Sequence, residues 1–178
     1  MSGTGGTPQD GTVPRLTHID EHGRAQMVDV TGKDVTRRVA EARCTVVTVA
    51  DVAAVLASRP GGYDLVEMAR SAGVQAAKLT SSLVPLCHPL LIDGSVVDVA
   101  AVDGGVAVRA VTTVAGRTGV EIEALTACAV ASLVLFQAFF DHDPETSVEG
   151  LTVWHKSGGR TGTWERDGRK DGVGLREE

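Results

Sequence analysis

Residues 94–114, GSVVDVAAVDGGVAVRAVTTV, decide the fold. Two β-rich runs flank Asp103-Gly104-Gly105, a tripeptide suited to a tight reversal, so the stretch predicts an antiparallel hairpin. After it, the run from Gly119 to about Phe140 predicts a long helix that is apolar on nearly all sides. Before it, RRVAEARCTVVTV at 37–49 alternates as a strand should. ADVAAVLAS at 50–58 has helical spacing with Asp51 near its start, and Pro60-Gly61-Gly62 breaks that pattern. A second helix is expected from Asp64 to about Ser81. DHDPETSVEG at 141–150 reads as a loop, and LTVWHKSGG at 151–159 as a last strand emptying into a glycine turn. Residues 15–30 read as two short extended pieces joined at His22-Gly23. The order β, α, α, β, β, α, β gives an α+β class with helices on one face of an antiparallel sheet.

The chain has 178 residues, the size of one domain, long enough to bury roughly 70% of its unfolded surface. Aromatic residues are only 3% of the composition, so Val, Ala and Leu must fill the core and backbones can pack closely. The formal charge is −6, with 17 basic and 23 acidic residues and no basic block outside the tail. That balance argues against a nucleic-acid surface, and an anionic substrate would need a local basic pocket. Cys44, Cys87 and Cys128 are odd in number and widely spaced, which suggests neither a disulfide framework nor a zinc site and fits a reducing cytoplasm. Residues 1–14 lack the features of a signal peptide. The expected organisation is a disordered leader at 1–14, one domain at 15–165 and a polar tail at 166–178. Residues 124–140 stop short of the about 20 apolar residues of a membrane span and carry Thr126, Ser132 and Gln137. They read as a buried soluble helix with no membrane partner. One sheet covers only a stripe of such a helix, so a second subunit is expected to meet it.

Two stretches carry chemistry: KLTSSLVPLCHPLLI at 78–92 and GRTGVEIEALTA at 116–127. They set Lys78, His88, Glu121 and Glu123 among apolar neighbours, where an unpartnered polar group is costly. His88 suits proton transfer near neutrality; its alternative is a loop histidine satisfied by a backbone carbonyl. Cys87 beside it does not make a metal site, since adjacent residues rarely ligate together and no second pair exists. Glu121 and Glu123 lie on different sides of a helix, and the helix dipole alone also favours carboxylates in a first turn. Lys33, Arg38, Lys78, Arg117, Lys156 and Arg160 come from five segments that a fold can gather around a polyphosphate; scattered solvated charge is the alternative. KSGGRTG at 156–162 is no Walker sequence, but its backbone N–H groups can cradle phosphate oxygens.

Taken together, MVDVTGK at 27–33, AGVQAAKLTSSLVPLCHPLL at 72–91, TGVEIEALTACAVA at 118–131 and KSGG at 156–159 resemble the MoaC family, the cyclic pyranopterin monophosphate synthases of molybdenum cofactor biosynthesis. The likeness is collinear over about residues 15–164. It implies a ferredoxin-like subunit, a homo-oligomer (dimer to hexamer) whose full form is a hexamer built as a trimer of dimers with sites at subunit interfaces, and a lyase acting without a cofactor or metal. The implied reaction converts 3',8-cyclo-7,8-dihydro-GTP to cyclic pyranopterin monophosphate and pyrophosphate. By resemblance Leu86, Cys87, His88, Ile122 and Glu123 contact this nucleotide-derived substrate, and Asp29, Lys33, Arg38, Lys78 and Arg117 match other polar pocket positions. His88, Glu121, Glu123 and Lys156 form the implied catalytic set.

The sequence departs from the family pattern at three places. Counted without gaps from Glu121, an aspartate and a lysine of the long helix fall at Gln137 and Phe140. Counted back from Lys78, a lysine before the second helix falls at Gly62. Glutamine does not shuttle protons and phenylalanine does not neutralise phosphate. A second reading is therefore a MoaC-like paralogue with lost or altered catalysis that binds a nucleotide-like ligand or a partner subunit.

Overall fold

Five strands and three α-helices make up residues 18–160 and 162–167, which the computed structural model describes. The leader expected at 1–14 lies outside the described residues, as does the expected tail beyond Asp167. In chain order the elements are β1 (Thr36–Val47), α1 (Val52–Ala57), a 3-10 turn at Pro60–Gly62, α2 (Leu65–Leu83), β2 (Gly94–Val102), β3 (Gly105–Gly116), α3 (Glu121–Phe140), β4 (Ser147–Ser157) and β5 (Trp164–Glu165). The strands form one sheet in the order β2-β3-β1-β4-β5, and every pairing is antiparallel. Two helical crossovers thus flank the predicted hairpin, a ferredoxin-like α+β arrangement.

Local chemistry sets the ends. Asp51 and Asp64 cap α1 and α2 by accepting hydrogen bonds from Ala54 N and Glu67 N. Helix α2 runs to Leu83, two residues past the expected end, and stops because Pro85 drives Val84 out of the helical region, to φ −112° and ψ 110°. Strand β4 starts at Ser147, within the segment expected as a loop. Ser147 and Val148 pair with Val47 and Val46, continuing the ladder of β1, and a register shift opposite Arg43 and Thr45 absorbs the irregular Glu149-Gly150 step. The alternation of the sequence is lost there, which hid the strand. Ile19 and Ala25 form a bridge around the His22-Gly23 turn.

Helices α2 and α3 pack together on one face of the sheet. Ala40, Ala42, Cys44 and Val46 of β1 and Val106, Val108 and Ala110 of β3 meet Ala124, Ala127, Cys128, Ala131, Leu135 and Phe139 of α3 in a single core. With so few large side chains the backbones approach closely: a Cβ at Gly73 of α2 would lie 2.8 Å from the Ala127 carbonyl oxygen. Cys44 and Cys128, which sequence spacing left unrelated, touch in this core with their sulfurs 3.4 Å apart as free thiols. By length and composition α3 passes for a membrane span, yet its buried stripe packs on the sheet and carries Glu123. Ile122, Leu133 and Phe140 remain exposed on its outer side.

Charged side chains occupy the opposite sheet face. Glu41 accepts hydrogen bonds from Arg43 Nε at 2.6 Å and Arg109 Nη2 at 2.7 Å, and Arg109 also reaches Asp98 at 2.9 Å. The Arg43 guanidinium lies over the Trp154 ring, 4.7 Å from its centroid.

Candidate active site

Four segments converge at one end of the sheet, on its helical side: the loop after α2, the first turn of α3, the start of β1 with the chain before it, and the end of β4. The loop comes first. Val84–Cys87 forms a turn closed by a hydrogen bond from Cys87 N to the Val84 carbonyl, at 3.3 Å. Leu86 within it has φ +68°, a region that ordinary L-residues avoid. This turn sets Leu86, Cys87 and His88 along a cleft of about 290 Å³. The opposite wall is Arg117, Gly119, Ile122 and Glu123 at the start of α3, and Val28, Lys33 and Arg38 close the cleft.

His88 Nε2 lies 2.8 Å from the Val28 carbonyl oxygen. The backbone carbonyl that satisfies a loop histidine is therefore present, and the ring still lines the cleft. Glu123 is only 4% exposed. Burial pushes its carboxyl above the ordinary glutamate range, and the charge of Glu121 pushes in the same direction. The Cys87 thiol is likewise raised, first by burial and then by the charge of Glu123.

Arg38 joins this cleft to two further spaces. Its Nε donates to the Gly116 carbonyl at 3.0 Å, which orients the guanidinium across the end of the sheet. On one side, a cavity of about 560 Å³ is lined by three cations, Lys33, Arg38 and Arg160, against one carboxylate, Asp34, with Thr36 and the backbone of Gly32 and Gly159. The Thr36 hydroxyl there is buried and lacks a hydrogen-bond partner. On the other side a small pocket holds Glu121 and Lys156, paired at 3.1 Å. The glycine turn after β4 is required by space: Gly158 has φ +94°, and a Cβ on it would lie 2.1 Å from the Arg37 carbonyl oxygen.

The fold therefore gathers Leu86, Cys87, His88, Ile122, Glu123, Lys33, Arg38 and Arg117 around the cleft, with Glu121 and Lys156 in the adjoining pocket. Asp29 and Lys78 are exposed and line none of these spaces; the Asp29 carboxylate accepts from Thr31 N and Oγ1. The sequence reading did not single out Val28 or Thr36. Val28 acts through a backbone oxygen, which side-chain patterns cannot reveal, and Thr36 is an ordinary strand residue by composition. Gln137 lies about four turns beyond Glu123, about 21 Å along the helix. Phe140 is farther still, and Gly62 sits in the exposed turn before α2.

Chemically, the arrangement offers an imidazole, a carboxyl held toward its protonated form, an ammonium–carboxylate pair and a basic annex. Those are the parts for moving protons beside an anionic group. Among the described residues, no three His, Cys, Asp or Glu side chains are grouped to hold a metal ion.

Comparison with known proteins places this end of the sheet within a familiar sequence. A cyclic pyranopterin monophosphate synthase of Streptomyces coelicolor is 44% identical over 167 residues, covering 93% of this chain and 95% of its own. One from a Nocardioides species is 46% identical over 157 residues, covering 85% of this chain and 96% of its own. Cyclic pyranopterin monophosphate synthase 2 of Mycobacterium tuberculosis is 44% identical over 154 residues, covering 85% and 91%. Residues 27–159, which hold every cleft residue named above, match the family description "MoaC family". This chain belongs to the MoaC family.

Proposed function

We propose that the protein is a lyase of molybdenum cofactor biosynthesis that converts 3',8-cyclo-7,8-dihydro-GTP to cyclic pyranopterin monophosphate and pyrophosphate. The observation that carries this reading is that the His88–Glu123 cleft and the Arg160 cavity lie side by side and share Lys33 and Arg38 in their walls. A heterocycle carrying a triphosphate needs both: proton donors and acceptors at the ring, and cations at the phosphates. The relatives' names support the same reaction.

In this reading the heterocycle lies against Leu86, Cys87 and Ile122. His88 accepts and returns protons, and Glu123 serves as the acid, because its carboxyl is held toward the protonated form. Lys156, oriented by Glu121, stabilises negative charge that develops as the phosphate ring closes. Lys33, Arg38 and Arg117 take the triphosphate and the departing pyrophosphate, whereas Asp29 and Lys78, which line none of these spaces, have no part in it. Neither a cofactor nor a metal enters.

A homo-oligomer between dimer and hexamer completes the reading, in the cytoplasm and without nucleic acid or membrane. Support comes from the uncovered Leu133 and Phe140 of α3 and from Tyr63 and Met68 near the start of α2. A shallow groove of about 560 Å³ runs between these two helices at Tyr63, Met68 and Val134. Gln137, Phe140 and Gly62 reach a cleft only if a second copy supplies it, because one protomer holds them far from His88.

The test is direct. Purified protein given the cyclised GTP intermediate should release pyrophosphate together with the pterin product, read after oxidation by fluorescence. Binding without turnover would overturn the lyase reading and leave the paralogue that binds a nucleotide-like ligand.

A further inference from the structure

We propose that the turn at Leu86 is a positioning device for His88: it holds the imidazole against the Val28 carbonyl, so that Nε2 carries the proton and Nδ1 is the atom that exchanges protons with a bound ligand.

The turn type follows from its residues. Cys87 N donates to the Val84 carbonyl at 3.3 Å, closing a four-residue turn with Pro85 second and Leu86 third. A proline ring holds φ near about −65°, which excludes the mirror-image turns. A third residue with φ +68° then leaves a type II turn. That position normally takes glycine, because a side chain there is strained. Leu86 is nevertheless the only non-glycine with positive φ among the described residues. Strain of this kind persists where the surroundings hold it, and it gathers at sites that need fixed geometry. Here the surroundings are visible: His88, two residues on, is tied to Val28 across 60 residues of sequence.

The tie also decides the tautomer. A carbonyl oxygen only accepts, so at 2.8 Å the Nε2 atom must be the donor. Neutral His88 is therefore protonated at Nε2, and its lone pair sits on Nδ1. Leu86 acts through His88, as a positioning residue.

Long-range 1H–15N spectra of histidine-labelled protein, taken where the imidazole is neutral and assigned with His88→Gln, read this tautomer without any ligand. The wild type should show His88 protonated at Nε2 alone. Leu86→Asn should keep that signature, because asparagine tolerates the left-handed region. Leu86→Val, excluded from it by its branched Cβ, should show mixed tautomers and a kcat lower by about tenfold or more, as a misplaced proton-transfer group requires. A wild-type His88 protonated at Nδ1, or mixed, overturns the proposal. So does a Leu86→Val protein that keeps one tautomer and the wild-type kcat. If that variant does not fold, the spectra of the wild type and Leu86→Asn still decide. The turnover arm rests on the proposed lyase reading, whereas the spectra do not. An inactive wild type with the Nε2–H tautomer would thus sink the reading and leave the positioning role standing.

Discussion

Lys156 Nζ lies 3.1 Å from Glu121 Oε1, joining the end of β4 to the first turn of α3. The side chains are 37% and 29% exposed, so the pair is screened by water and contributes less than about 1 kcal/mol to stability. Its position beside Arg38, between the cleft and the end of β4, matters more.

Lys156→Met therefore separates stability from chemistry. The melting temperature should move by less than about 4 °C, while kcat falls about 10²-fold or more through loss of a charge-stabilising group. Differential scanning fluorimetry and pyrophosphate release measure the two. Wild-type turnover in this variant would remove Lys156 from the catalytic set.

Glu123 makes a prediction about pH. Its folded pKa is raised, chiefly by burial, so between the unfolded and folded values the native state binds more protons. Its contribution therefore lowers stability as pH rises through that window. Glu123→Gln keeps the shape without the charge, so it should melt higher than the wild type at neutral pH and lose that part of the slope. Turnover should fall by about 10²- to 10⁴-fold, the worth of a general acid. Melting curves from acid to neutral pH, with turnover beside them, test both halves; a variant that melts lower at neutral pH would contradict the sign.

Glu41 behaves oppositely. Burial pushes its carboxyl up, but hydrogen bonds and charge from Arg109 and Arg43 outweigh burial and leave it below the ordinary range. Its stabilisation is complete above the unfolded value, about 4.3, and is lost as pH falls through the lowered folded value. Glu41→Ala strands Arg43 beneath the sheet surface and should cost about 3 kcal/mol. That figure is at the low end because Arg109 keeps Asp98. Denaturant unfolding at neutral pH and again below the unfolded value measures it; an equal loss at both would refute the ionic account.

Gln137→Asp with Phe140→Lys should raise turnover if a second copy brings the far half of α3 to the cleft. Adding Gly62→Lys should lower the melting temperature, because Gly62 has φ +85° and a lysine is strained there. Kinetics on the double variant, with the assembly state measured by light scattering, give the answer. A folded, assembled double variant no faster than the wild type would count against the ungapped reading of the long helix.

What the amino-acid order determined by itself is local. Alternation around Asp103-Gly104-Gly105 specified the hairpin, Asp51 and Asp64 marked helix starts, and the element order narrowed the architecture to helices on one antiparallel sheet. These signals rest on backbone periodicity and capping, which need only near neighbours. The motif stretches also named most of the cleft, since His88 and Glu123 stand out against apolar surroundings. Only the tertiary structure decided which distant atoms meet. The Cys44–Cys128 contact, Glu41 between two arginines, and the Val28 carbonyl on His88 depend on strand register and on helix α3 lying over β1. The same packing set Lys78 apart from the cleft and carried Gln137 to the other end of a helix. Such pairings arise from chain topology and close packing, and no spacing along the sequence encodes them one residue at a time.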